Sequence, residues 1–350
     1  MMKKLGLALL MLIIMVSNIK IYADDTCTSY IAFDANGFID SQTNNSNVYL
    51  ADVNNIPNII QISSFEEDTF TDWSPDGHQI AFNSNYNNPN IFIYDVVTKT
   101  TTPFLEGQDN FIFTFRWSPD GQKIAYVTSN DDYNHIQHLY LYDIATQTTR
   151  NLTPMLDSHA RNIYWNPNSQ IISLFVGIST FETQIIDIEN ADIPPIRFEN
   201  SVGFDWYPNG DRLILTLWDE EIPSHYTYNI ETGETEDLSE DMIGDWSFDR
   251  RYVAYYEGED IYIKNTQTDE IEVLRSGLAE GQVKDIEWSP YSSEIVFFET
   301  DPYGTDSSHG GYIYIKNVET GDIRNVLGDR GLLEPLAPLG WSPCIPPIDE

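Results

Sequence analysis

The stretch Trp73-Ser74-Pro75-Asp76-Gly77 returns as Trp117-Ser118-Pro119-Asp120-Gly121, and each copy runs into a short apolar segment, Ile80-Ala81-Phe82 and Ile124-Ala125-Tyr126. Weaker copies begin at Trp165, Trp206, Trp246, Trp288 and Trp341, and successive tryptophans are 44, 48, 41, 40, 42 and 53 residues apart. A period in the forties with four strand-like runs per unit specifies an all-β fold, the β-propeller. Each unit is one small sheet that buries its faces only against the next.

The unit from Asp72 to Gly107 shows the plan. Strand a ends at Trp73. Ser-Pro-Asp-Gly then makes a tight turn, with proline fixing one φ and glycine supplying a positive one. Strand b follows at Gln79–Ser84, a polar loop at 85–90, strand c at Ile91–Asp95 and strand d at Thr101–Leu105. Strand c usually ends in Asp or Asn before a turn that contains Thr, a preference that an Asx turn explains locally.

The ends of the chain count the blades. Residues 30–63 hold strands b, c and d with no strand a before them, and Trp341-Ser342-Pro343 closes a strand a with nothing after it. The two fragments add up to one blade. The expectation is a seven-bladed propeller of four-stranded blades, closed by a C-terminal strand a that joins N-terminal strands b, c and d. Aligning both ends on the Trp73 unit puts Cys27 and Cys344 at the same place, that of Asp76. A Cys27–Cys344 disulfide would then stand in for the missing a–b connection, worth about 5 kcal/mol at most.

The N-terminus reads as a secretory signal over residues 1–23: Lys3 and Lys4, an apolar run from Leu5 to Val16 too short for a comfortable membrane span, and Ala23 at the cleavage position. Residues 24–350 are then one propeller domain, secreted or periplasmic and monomeric, with no membrane span once the signal is removed. Lys plus Arg number 18 against 55 Asp plus Glu, a net charge of −37. That balance argues against nucleic acid and anionic membranes, and it suits a basic protein or peptide or a divalent cation such as calcium. No Asp-x-Asp-x-Asp-Gly loop supports calcium, and no cofactor is expected otherwise.

Tandem Trp-Ser-Pro-Asp-Gly with Ile-Ala-Phe/Tyr and an Ile/Leu-Tyr-x-Tyr-Asp run resembles the TolB-like propeller repeat over roughly residues 28–343. The copies at Trp206 and Trp288 are partial, and Trp246-Ser247-Phe248-Asp249-Arg250 lacks both Pro and Gly. The resemblance implies the fold and little about function. TolB itself looks like a six-bladed ring with an extra N-terminal domain, and this chain reads as having neither. Prolyl-oligopeptidase relatives set such a propeller beside a hydrolase domain, for which no Gly-x-Ser-x-Gly elbow is present. Secreted oligogalacturonide lyases also resemble the repeat family and use a His-rich metal site.

The loops between strands b and c vary in length and carry aromatic residues, the usual character of a binding surface on a rigid scaffold. Tyr86, Asp131, Tyr133, Trp218, Asp219 and Tyr303 are the binding candidates. Phe181 falls on the same loops, as do His135, His138, His159, His225 and His309. Of these histidines, His135, His138 and His159 would be the metal ligands of a lyase-like site. The repeat tryptophans, Trp73, Trp117, Trp165, Trp206, Trp246, Trp288 and Trp341, read as packing between blades. Asp72, Asp205, Asp245 and Glu287 precede four of them. Alternation along the strand turns these acids away from the Trp, toward the channel, where a cation could sit. The reading favoured is a binding scaffold without catalysis. A metal-assisted polysaccharide lyase is the alternative, and an envelope structural component is a third.

Overall fold

The computed structural model describes residues 28–343 apart from 37–45, 66, 85–89, 106–110, 130–135, 178–179, 192, 219–222, 240–241, 258–259, 275–282, 301–309, 329–331 and 334–338. Cys27, Cys344 and the N-terminal segment therefore lie outside the described residues, as do Tyr86, Asp131, Tyr133, His135, Asp219, Tyr303 and His309.

Seven antiparallel sheets follow one another along the chain, each with four strands in simple a-b-c-d order, and no α-helix occurs among the described residues. The Trp73 blade comprises Asp68–Trp73, Gln79–Ser84, Ile91–Asp95 and Thr100–Pro103. The Trp288 blade carries one addition, a two-residue strand Leu332–Leu333 paired with Gly310 and Gly311. The expected closure is present. Gly340–Trp341 pairs with Tyr30–Asn36, which continues into Ser46–Asp52 and Ile59–Gln61. Tyr30 and Ser342 are bonded twice at the seam: Ser342 N donates to Tyr30 O at 2.8 Å, and Tyr30 N donates to the Ser342 side-chain Oγ at 2.8 Å.

The repeated turn holds itself together through side chains. Ser74 Oγ donates to Asp76 Oδ1 (2.7 Å), which also accepts His78 N, while Gln79 N donates back to Ser74 Oγ. Gly77 takes φ 72° and Gly121 takes 68°, the left-handed region that a side chain makes costly. The degenerate copies hold the same conformation without glycine, at Ser169 (φ 59°) and Arg250 (φ 58°). The acids ending strand c act locally, as expected. Asp95 Oδ1 accepts from Thr98 N and Oγ1, and Asp143 Oδ1 accepts the equivalent pair from Thr146. The backbone bond from Thr98 and that from Thr146 are the main reasons both carboxyls sit below the usual range.

Blades are joined by their apolar faces. Trp73 packs with Ile80 and Phe82 of its own blade and with Ala32, Val48 and Leu50 of the closing blade. Val296, Phe298 and Ile313 of the Trp288 blade pack with Ile31, Phe33 and Tyr49. Strand b is buried along most of its length, whereas strand d is largely exposed.

Candidate functional site

The inner strands bring the residue before each repeat tryptophan into the walls of the central channel. In chain order these are Asp72, Arg116, Tyr164, Asp205, Asp245, Glu287 and Gly340. A β-bulge interrupts the a–b pairing just ahead of five of the seven, between Phe70 and Asp72, Ile112 and Thr114, Ala160 and Ile163, Gly203 and Asp205, and Lys284 and Ile286. A bulge bends the strand and re-aims its side chains. Phe113, the bulged residue of the Trp117 blade, is accordingly 46% exposed. It lines a channel cavity of about 540 Å³ together with Asp72, Arg116, Asn162, Tyr164 and Glu287.

The indoles form a second ring of contacts. Trp73 Nε1 donates to Gly340 O of the preceding blade (3.2 Å). Trp165 does the same to Arg116 O (3.4 Å), Trp206 to Tyr164 O (3.3 Å) and Trp288 to Asp245 O (2.9 Å). Trp341 uses Ser29 Oγ and Tyr291 Oη instead. One blade departs from this pattern.

The exception is the Trp246 blade. Its strand a is reduced to Asp245–Trp246, where the other complete blades have six residues. The Trp246 Nε1 group is enclosed and has no acceptor among the described residues. Arg250 fills the space. Its Nη2 donates to Trp206 O, its guanidinium lies 4.9 Å from the Trp246 ring centre, and its Nη1 faces Asp205 Oδ2 at 3.6 Å. A cavity of about 540 Å³ opens here between the Trp246 and Trp288 blades. It runs from Phe248 and Pro290 in the a–b turns to Asp245 and Glu287 in the channel wall.

The four channel acids differ in what they hold. Asp72 Oδ1 accepts Trp73 N and its Oδ2 accepts Trp117 N, both at 3.0 Å, so one carboxylate ties two blades together. Asp205 accepts Trp206 N (2.8 Å) and faces Arg250. Among the described residues, Asp245 and Glu287 accept no hydrogen bond. Both are exposed to solvent in the channel, but the protein crowded around them partly desolvates a charge there. That desolvation, with repulsion from Asp245 and Asp72, pushes the Glu287 carboxyl up to about 8. Desolvation, with Asp205 adding, takes Asp245 to about 6. Asp72 also reaches about 6 through desolvation, against the pull of Arg116.

Sequence reasoning placed the four acids on the channel correctly but missed Arg250 and Phe248. The signal was the loss of Pro and Gly from Trp246-Ser247-Phe248-Asp249-Arg250. The loop-face histidines need correction. His138 and His225 lie within strands Gln137–Asp143 and Ser224–Asn229. Strand c starts earlier than the polar residues around it suggest, because His138 pairs with Thr128 and His225 with Thr216 in the b–c ladders. His138 is buried with Nδ1 2.7 Å from Thr153 O, and His225 Nδ1 lies 2.9 Å from Thr216 Oγ1. His159 precedes strand Ala160–Trp165, and its enclosed Nδ1 lacks a partner. Phe181 likewise begins a strand, Phe181–Asp187, rather than standing in a loop. Trp218 follows strand b of its blade, half-exposed, with its N bonded to Asn200 O. No three His, Cys, Asp or Glu among the described residues converge as metal ligands.

No family model matches the chain, and no curated protein is detectably similar to it. Its fold is similar to several solved structures. An oligogalacturonate lyase in complex with manganese shares 15% identity over 77% of this chain and 82% of that one, with a TM-score of 0.59. The β-propeller domain of the Trilobed protease from Pyrococcus furiosus shares 18% identity over 74% and 82%, with a TM-score of 0.53. That domain is described as having an open velcro topology, whereas here the last strand pairs with the first. TolB from Acinetobacter baumannii is similar at 17% identity over 90% and 67%, with a TM-score of 0.49. At these identities the likeness is one of fold. No helix among the described residues is long and apolar enough to cross a membrane.

Proposed function

We propose that this chain is a secreted or periplasmic binding propeller, acting without catalysis, that holds a basic segment of a protein or peptide. The channel carries the reading. Of its seven wall positions four are carboxylates and one is a cation; desolvation raises the proton affinity of Asp72, Asp205, Asp245 and Glu287, and only Asp72 and Asp205 have an arginine beside them. A net charge of −37 steers a cationic partner toward the molecule before contact. Trp218, with Tyr86, Asp131, Tyr133, Asp219 and Tyr303, would contribute from the loop face, and calcium is the divalent ion that the acidic surface suits. A Cys27–Cys344 disulfide would lock the seam where Tyr30 meets Ser342.

Binding of defined synthetic peptides, measured by calorimetry over a range of salt, tests the proposal. Lysine- and arginine-rich peptides are expected to bind with affinity that falls as salt rises, and acidic peptides are expected not to bind. Equal binding regardless of peptide charge would overturn it. The metal-assisted lyase alternative has a fold counterpart in the manganese-bound lyase. Release of unsaturated sugar ends from oligogalacturonates with added Mn²⁺ would replace the non-catalytic reading.

A further inference from the structure

We infer that the cavity at the Trp246 blade is a subsite for a single alkylammonium group, the head of a lysine side chain or of a free amine. The inference rests on the basic-partner reading and gives it an address. Three independent features meet in this cavity. Asp245 and Glu287, the two channel carboxylates without hydrogen-bond donors among the described residues, form its inner wall. Phe248, 53% exposed, stands at its outer mouth in the position that proline holds in the intact repeats. Ile243 and Ile286 supply apolar wall between the two. A four-carbon chain with a charged tip matches this order, with methylenes against Phe248 and the isoleucines and the ammonium against the carboxylates.

The other charged groups at the site are already engaged. Arg250, also on the cavity wall, stacks on Trp246 and faces Asp205; Arg116 lies beside Asp72 and draws on Glu287 less than any other group acting on it, and neither arginine neutralises Asp245. Of the three carboxylates that line the cavity, Asp205 faces Arg250, which leaves Asp245 and Glu287, and no three acids or histidines among the described residues are grouped as metal ligands; the arrangement suits an organic cation better than a chelated metal ion. The break in the inner wall also has a structural origin. Strand a is cut to two residues here, so the Trp246 blade offers its neighbours less inner wall than the six-residue strands of the other complete blades do.

The test uses the full chain and three probes: N-acetyl-lysine amide, its uncharged analogue N-acetyl-norleucine amide, and butane-1,4-diamine. Calorimetry is expected to show binding of the lysine probe and none of the norleucine probe. The double variant Asp245→Asn/Glu287→Gln is expected to weaken lysine binding by about tenfold or more, the usual range for charge-assisted bonds. Phe248→Ala, at an exposed position, is expected to weaken it about threefold. Asp237→Asn, an exposed acid on an outer strand, controls for net charge and should change nothing. Equal binding of the two amides, or full binding by the double variant, overturns the subsite. If basic peptides bind the double variant unchanged, the subsite fails and the wider function stands. If the diamine binds through these carboxylates while basic peptides do not bind at all, the subsite stands and the wider function fails.

Discussion

The Trp73 and Trp246 blades carry the same motif in different states of preservation. In both, the turn is fixed by a serine hydroxyl on an aspartate two residues on, Ser74 to Asp76 and Ser247 to Asp249. The turn therefore survives without Pro and Gly. What changes is the strand before it. In the Trp73 blade, six residues and a bulge bring Trp73 between blades with its indole N–H satisfied, and Asp72 bridges to the next blade. In the Trp246 blade, two residues remain, and among the described residues the indole N–H has no acceptor and Asp245 bridges nothing. One blade spends its polar groups on cohesion, and the other leaves them facing a cavity.

Truncating the two tryptophans breaks or sustains this contrast with the largest effect. Trp73→Ala is expected to destabilise by about 3–5 kcal/mol, the range for a buried indole, whereas Trp246→Ala should cost no more than about 2 kcal/mol. Urea unfolding followed by circular dichroism measures both, and equal losses would mean that the two blades are equivalent. The acids come next. Asp72→Ala leaves the backbone N–H groups of Trp73 and Trp117 without an acceptor, at about 1–3 kcal/mol each, while Asp245→Ala should fall within about 0.5 kcal/mol of the parent or stabilise. A strong loss at Asp245 would reveal a bond it makes beyond the described residues.

The fold was legible because it is written seven times. A period in the forties, a recurring Ser-Pro-Asp-Gly turn, and half-blades at the two ends leave little choice, and Gly340–Trp341 pairing with Tyr30–Asn36 follows directly. The channel acids were legible by strand alternation. The cavity was not, because it arises where the repeat decays, and a degenerate Trp246 copy read alone is only a weak match. That Arg250 would take a left-handed backbone and occupy the gap depends on Trp206 O and Asp205 from a different blade. His138 and His225 were misplaced for a related reason. A polar residue at the end of a strand is indistinguishable in sequence from the first residue of a loop, and cross-strand bonds decide which it is.

Replacing Gly77 probes how far the turn tolerates decay. Gly77→Ala puts a Cβ at φ 72° and is expected to cost about 1–2 kcal/mol by thermal unfolding. No loss would show that glycine at this position is convenience, and that the Trp246 blade lost its inner strand for another reason.

The smallest expected effect is also the one most particular to the channel. The Glu287 carboxyl moves from its ordinary 4.5 up to about 8 on folding, because desolvation and repulsion from Asp245 and Asp72 both disfavour its charge. The folded protein therefore holds this proton more tightly than the unfolded chain does. The resulting stabilisation is complete below pH 4.5 and is lost as pH rises through about 8. Glu287→Gln carries no such charge. It should leave the melting temperature unchanged below pH 4.5 and raise it above pH 8, by about 2–4 °C for each kcal/mol of repulsion removed. Thermal melts across this range read the difference directly. A parallel pH profile for parent and variant would mean that water in the channel screens Glu287 as fully as it would on the outer surface. A variant less stable at high pH would mean that the carboxylate holds a partner there. A lysine probe that restores the parent's stability at high pH, and does nothing for the variant, would join this measurement to the binding site.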